Sequence, residues 1–186
     1  MENNFQYSIF STSWGWAGVI FNQEGLRFFI LPLEKIEDII FELKKIAEEN
    51  NLKIFESNNS EEEKKAKILD LIKEVQEYYK GKKVNFFDYQ LNLKSYTPFQ
   101  KKVLSTVSKV PYGILKSYQE IAVEAGFPRA FRAVGNMMRK NPLPLIIPCH
   151  RVIRSDGKLG GFSGGKGIAL KKKMIDWEIT PRGYSN

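Results

Sequence analysis

The chain has 186 residues, 42% of them hydrophobic and 27% charged, with 29 Lys and Arg against 21 Asp and Glu for a formal charge of +8. This excludes disordered, collagen-like and disulfide-dense classes, and the length suffices to bury a core. A single Cys and a single His forbid an internal disulfide and cannot close a tetrahedral metal shell, so a reducing setting and no metal are expected.

Tyr7-Ser8-Ile9-Phe10, Ala17-Gly18-Val19-Ile20-Phe21 and Leu26-Arg27-Phe28-Phe29-Ile30-Leu31 are β-rich runs separated by turn signals at Gly15 and at Asn22-Gln23-Glu24-Gly25. They predict an antiparallel meander, which Pro32 ends. Ile36, Ile39, Ile40, Leu43 and Ile46 fall at helical spacing over 34–48, and Ile68, Leu71, Ile72, Val75 and Tyr79 over 61–79. The stretch 81–97 reads as a connector, dividing the chain into an N-terminal α/β domain, 1–90, and a C-terminal domain, 91–186.

Thr97-Pro98-Phe99-Gln100 starts a helix: a Thr cap, Pro in the first turn and Gln three residues after the cap. Phe99, Val103, Val107 and Val110 should line its buried face. Ser117-Tyr118-Gln119-Glu120 is a second capping box, opening a short helix to about Ala125. Gly126-Phe127 then makes a tight turn and Pro128 begins another helix, the spacing of a helix-turn-helix. On that second helix Arg129, Arg132, Asn136 and Arg139 share a face, while Phe131, Val134 and Met138 lie on a stripe suited to a core contact. Ala130, Ala133 and Gly135 are small enough for close approach to a surface. Basic clusters (Lys101-Lys102, Arg129/Arg132, Arg139-Lys140, Arg151/Arg154 and Lys171-Lys172-Lys173) put the positive field in the C-terminal half. Such a field favours a polyanion such as nucleic acid through counterion release.

The chemistry concentrates in Asn141-Pro142-Leu143-Pro144-Leu145-Ile146-Ile147-Pro148-Cys149-His150-Arg151-Val152, where the lone Cys and lone His are adjacent. Nearby positive charge favours the thiolate, the reactive form. This run resembles the active-site segment of the O6-alkylguanine-DNA alkyltransferases. The matching residues are Arg132-Ala133-Val134-Gly135, Arg139, Asn141-Pro142, Ile147-Pro148-Cys149-His150-Arg151-Val152, Gly160-Gly161-Phe162-Ser163-Gly164-Gly165 and Glu178, in fixed order from about Tyr112 to Glu178.

The resemblance implies a ribonuclease-H-like N-terminal domain and a mainly helical C-terminal domain that carries the helix-turn-helix and the Cys loop. It implies transfer of an alkyl group from O6-methylguanine, and more weakly O4-methylthymine, to Cys149, once per molecule and without cofactor. His150 would take the thiol proton through a water, Glu178 would orient His150, Tyr118 would donate to the purine N3, and Asn141 would tie the recognition helix to the Cys loop. Arg132 would enter the duplex in place of the extruded base, with Arg129, Ala130, Phe131, Ala133, Gly135 and Arg139 on the DNA face. Val152, Phe162 and Ser163 would line the base pocket. The partner implied is double-stranded DNA, met through the minor groove with the guanine flipped out, by a monomer.

No apolar run reaches the roughly 20 residues of a membrane span, and Met1-Glu2-Asn3-Asn4 is unlike a signal peptide. A cytoplasmic protein is therefore expected, nuclear in a eukaryote, with no membrane partner. Phe131 is bulky beside Arg132 and either packs inward or alters how the helix meets DNA, and the Gly-rich 164–167 leaves pocket width open. Two other readings stand beside transfer. One is an alkyltransferase-like module that only binds the lesion, against which Cys149 argues. The other is a Cys hydrolase, against which adjacent side chains pointing apart on an extended segment argue. Transfer requires the sulfur to lie in an accessible pocket beside the recognition helix.

Overall fold

The computed structural model describes residues 4–57, 62–162 and 167–180. It forms two units: Met1–Val84 with Asp88–Leu93, and Asn85–Phe87 with Lys94–Asn186. The stretch between them is thus shared, with 85–87 belonging to the second unit and 88–93 to the first.

In the first unit β1 (Asn4–Thr12), β2 (Gly15–Asn22) and β3 (Gly25–Leu33) form the antiparallel meander. After α1 (Ile36–Glu49), β4 (Lys53–Glu56) returns parallel to β1, giving the order β3-β2-β1-β4, followed by α2 (Glu62–Tyr79). This is the ribonuclease-H-like arrangement of an α/β fold. Strand β2 is central, and Ala17, Val19, Ile20 and Phe21 are all buried. Ile39 and Leu43 of α1 complete a core with Phe5, Ile20 and Ile30, while Ile40 of the same helix is exposed. Pro32 does not end β3, which continues to Leu33 with a register shift between Gly18 and Trp16. An edge strand tolerates the missing N–H there. Four-residue β4 is too short, between Asn-rich breaks, to stand out by periodicity.

In the second unit α3 (Pro98–Ser108), α4 (Tyr118–Glu124), α5 (Phe131–Arg139) and α6 (Gly167–Ile179) surround the Cys loop. Both capping boxes form. Thr97 Oγ accepts from Gln100 N at 3.3 Å and Gln100 Oε1 from Thr97 N at 2.9 Å, and the Ser117–Glu120 pair repeats this at 3.1 and 2.7 Å. Val103, Val107 and Val110 are buried, whereas Phe99 is half-buried with its ring 4.9 Å from that of Phe127.

The helical hairpin differs from expectation at its turn. α5 starts at Phe131 rather than Pro128, because 127–130 closes a separate turn through Ala130 N to Phe127 O at 2.8 Å. A two-residue strand, β5 (Lys116–Ser117), pairs parallel with β6 (Val152–Ile153). This pairing sets the start of α4 beside the end of the Cys loop. No helix among the described residues is long and apolar enough to cross a membrane.

Candidate functional site

Residues 141–150 are all buried. Asn141 organises them: its Nδ2 donates to the Ile147 carbonyl at 2.7 Å and its Oδ1 accepts from Leu143 N at 3.1 Å. The loop between those bonds holds Leu145 at φ +78°, a conformation a branched side chain resists, so the surrounding bonds and burial must enforce it. Asn141 lies just beyond the C-terminus of α5, and so joins that helix to the loop.

The loop delivers Cys149, His150 and Arg151 on one 3₁₀ turn (Cys149–Arg151), not the extended segment the sequence suggested. His150 Nε2 lies 2.7 Å from Glu178 Oε1. Arg151 Nε lies 3.0 and 3.3 Å from the two oxygens of the same carboxylate, and its Nη2 lies 3.1 Å from Oε1. Gly113 N adds a bond to Glu178 Oε2 at 3.0 Å, and Arg151 Nη1 donates to the Val110 carbonyl at 2.5 Å. Burial alone would raise the Glu178 carboxyl, but the His150 bond and the Arg151 charge outweigh it and hold it at about 2. Burial pushes His150 down, against the pull of Glu178, and favours a neutral ring. With Nε2–H donated to the carboxylate, Nδ1 carries the free lone pair. That atom is buried and has no hydrogen-bond partner among the described residues.

Tyr118 opens α4 beside this turn and is 9% exposed. Its hydroxyl lies 3.4 Å from the carbonyls of Leu159 and Gly161 and 3.3 Å from Lys171 Nζ. Burial, together with the neighbouring Cys149, pushes the phenol up to about 12, so it remains a donor at neutral pH. Gly160 is needed here, since its φ is +70° and a Cβ on it would lie 2.5 Å from the Tyr118 hydroxyl, whereas a Cβ on Gly161 would press only on the exposed Arg139 side chain. Val152 is buried and Phe162 half-buried. Ser163, and the Gly164–Lys166 part of the Gly-rich run, lie outside the described residues.

The sulfur itself contradicts one expectation. Cys149 is 0% exposed, so the free chain keeps the thiol away from solvent rather than in an open pocket. The strip 159–162 that bonds to Tyr118 and Lys171 is only half-buried, and its two hydrogen bonds with the Tyr118 hydroxyl are long.

Arg129 in the turn before α5 and Arg132, Asn136 and Arg139 on it are exposed, and Val134, Met137 and Met138 are buried. Ala130, Ala133 and Gly135 are half-buried, and Gly135 turns its missing side chain toward the Tyr118 ring, 3.9 Å away. Phe131 does not join the buried stripe. It is 44% exposed, with the Arg132 guanidinium 5.9 Å from its ring centre, because α5 begins at this residue and its first turn projects beyond the packed face. Two members of the supposed basic field are also internal, since Arg151 and Lys171 are buried. Nothing in their spacing separates them from surface cations; only the partners Glu178 and the loop carbonyls do.

Residues 98–180 match the family described as 6-O-methylguanine DNA methyltransferase, DNA binding domain. Over 116 residues the chain is 44% identical to the methylated-DNA–protein-cysteine methyltransferase of Methanosarcina barkeri, a stretch covering 62% of this chain and 71% of that relative. The chain belongs to the methylated-DNA–protein-cysteine methyltransferase family. The constitutive methyltransferase of Bacillus subtilis is 39% identical over 108 residues, 58% of this chain and 64% of its own length. The likeness extends to the N-terminal unit in the crystal structure of Mycobacterium tuberculosis OGT in complex with DNA. That structure has a TM-score of 0.68 and 27% identity, and the match covers 93% of this chain and 92% of that one. The α/β fold is that of this methyltransferase family's solved structures.

Proposed function

We propose that this chain repairs DNA by moving the alkyl group of O6-methylguanine irreversibly onto the sulfur of Cys149. The observation that carries this is the buried constellation of one thiol, an adjacent neutral His150 with a bare Nδ1, and a carboxylate that fixes the other ring nitrogen. It is the nucleophile, base and orienter arrangement. The His150 Nδ1 takes the thiol proton through one water. The thiolate attacks the alkyl carbon, an S–C bond forms as C–O6 breaks, and the electron pair leaves on the purine, which takes up a proton. Tyr118 steadies that leaving group by donating to its N3. The resulting thioether is stable, so each molecule acts once.

Because the sulfur is covered, entry of the base requires the residues around Cys149 to move. The M. tuberculosis relative solved in complex with DNA and the exposed arginines on and just before α5 support a DNA partner; in this reading a monomer meets a duplex through the minor groove with the damaged base extruded. The chain would act wherever its cell keeps DNA, in the cytoplasm or nucleus. Incubation with a duplex containing O6-methylguanine, followed by peptide mass measurement, should place one methyl group on Cys149. Tight binding with an unmodified sulfur would favour a lesion-binding module instead.

Arg132 tests the extrusion step. Arg132→Ala should slow transfer from a duplex by about tenfold or more while leaving transfer from a free O6-alkylguanine base nearly unchanged, since a wedge compensates for unstacking worth a few kcal/mol. Equal losses on both substrates would remove the wedge role.

A further inference from the structure

A lone exposed Phe carries no message by itself, since folded proteins leave much apolar surface in water. Phe131 is distinguished by its setting. It opens α5 and is 44% exposed, outside the buried stripe of Val134, Met137 and Met138. Its only ring partner among the described residues is the Arg132 guanidinium, 5.9 Å from the ring centre. Phe127, in the turn before, differs, because its ring meets that of Phe99 edge-on at 4.9 Å. The exposed charges of this segment are all cations, Arg129, Arg132, Arg139 and Lys140, and residues 126–140 contain no Asp or Glu.

Helical spacing decides which way the ring looks. Residues 131, 135 and 139 form one i, i+4 row. Gly135 turns its bare Cα toward the Tyr118 ring, 3.9 Å from where a Cβ would stand, and Arg139 packs against Gly161, whose carbonyl accepts from the Tyr118 hydroxyl. The row therefore runs along the Tyr118 side of the helix, and Phe131 begins it. Arg132 and Asn136 occupy the next row. Ala130 and Ala133 are small and half-buried, so Phe131 and Arg132 are the bulk that this turn projects. A ring with water on its face, among cations and beside the side chain that replaces an extruded base, suits a nucleobase that has lost its stacking neighbour.

We infer that Phe131 is a DNA-contacting residue whose ring stacks on the base next to the extruded guanine, so that Arg132 in the vacated space and Phe131 against its neighbour together support unstacking. This rests on the repair reading above and deepens it. Attraction of the arginines to phosphates is much the same along any duplex. The ring gains only where a base face has been uncovered, and so favours the extruded state over the merely bound one.

The test is a cycle between the ring and the base it faces. Phe131→Ala, Phe131→Leu and Phe131→Trp are compared with the wild type in single-turnover transfer from an O6-methylguanine duplex, and from duplexes made abasic at the nucleotide on the 5′ or the 3′ side of the lesion. Phe131→Ala should slow transfer about fivefold or more on the intact duplex. Its difference from the wild type should shrink to within about twofold when the abasic residue lies on one of the two sides. Phe131→Trp should keep the wild-type rate, and Phe131→Leu should fall with Phe131→Ala. The position is exposed and Ala is the better helix former, so these variants keep the fold. The same cycle read as duplex affinity in a Cys149→Ala background needs no transfer. It therefore stands even where the wild-type Cys149 takes up no methyl group, a result that would end the transfer reading alone. A loss equal with and without the flanking base, a Leu variant equal to wild type, or no loss at all overturns the assignment.

Discussion

Cys149→Ala is expected to abolish methyl transfer completely while leaving duplex affinity within about twofold of wild type. No second thiol exists in the sequence to take over, and no hydroxyl nucleophile of ordinary pKa matches a thiolate toward an alkyl carbon. Affinity should persist because the exposed arginines of α5 and the turn before it, Arg129, Arg132 and Arg139, are remote from the substituted atom in role and untouched by it. The fold should persist too, since losing one buried sulfur leaves a cavity about the size of a methyl group, worth roughly 1 kcal/mol. Intact mass after exposure to methylated duplex, alongside a binding titration at fixed salt, separates the two quantities. Affinity should also fall with salt by about 0.9 log units per log unit for each phosphate neutralised. Residual methylation of the Ala variant would mean that another atom is the acceptor. Collapse of binding would mean that the sulfur belongs to the recognition surface.

How far the sequence discloses this site depends on the kind of information each residue carries. Capping boxes at Thr97 and Ser117 are local, and each appears with both of its hydrogen bonds. The meander and the two N-terminal helices follow from periodicity, which needs only a run of adequate length. Short elements escape it. β4 has four residues, and β5 and β6 have two each, so only pairing with a distant partner defines them. Pro32 misleads because its effect depends on whether its strand is central or at an edge, a property of the whole sheet.

Charge is legible in number but not in place. Arg151 and Lys171 read like their neighbours Arg154 and Lys172, yet the first pair is buried against Glu178 and loop carbonyls and the second is at the surface. Phe131 misleads in the opposite direction, as an apolar residue at the correct spacing for a core stripe that opens a helix and meets solvent beside Arg132. The burial of Cys149 is invisible in sequence for the same reason. It arises where a loop, the N-terminus of α4 and α6 converge. The Cys-His-Arg motif thus discloses which atoms react, while the fold decides that they wait out of solvent.

Glu178→Gln should be the single change at the site most damaging to stability, because one carboxylate serves four N–H groups of three residues. Its oxygens receive His150 Nε2, Arg151 Nε and Nη2, and Gly113 N. An amide offers one oxygen in place of two, and its nitrogen must face either Arg151 or the imidazole N–H, donor against donor. Arg151 is then a buried cation without a counter-ion, which costs about 3–5 kcal/mol, a large share of the roughly 5–15 kcal/mol that keeps a domain folded. The imidazole also loses the bond that keeps its proton on Nε2. With the proton free to settle on Nδ1, the base is lost, and single-turnover transfer should fall by about 10² to 10⁴.

Acid titration gives a signature that lowered stability alone would not. Glu178 is held at about 2 against an ordinary 4.5. Its contribution is therefore complete above pH 4.5 and disappears as the pH falls through about 2, a difference of roughly 3 kcal/mol. Urea melts of the wild type should lose that increment across this window, and melts of the Gln variant, which has no carboxyl to protonate, should not. A variant with wild-type melting and wild-type transfer would show that His150 and Arg151 are organised by something other than this carboxylate.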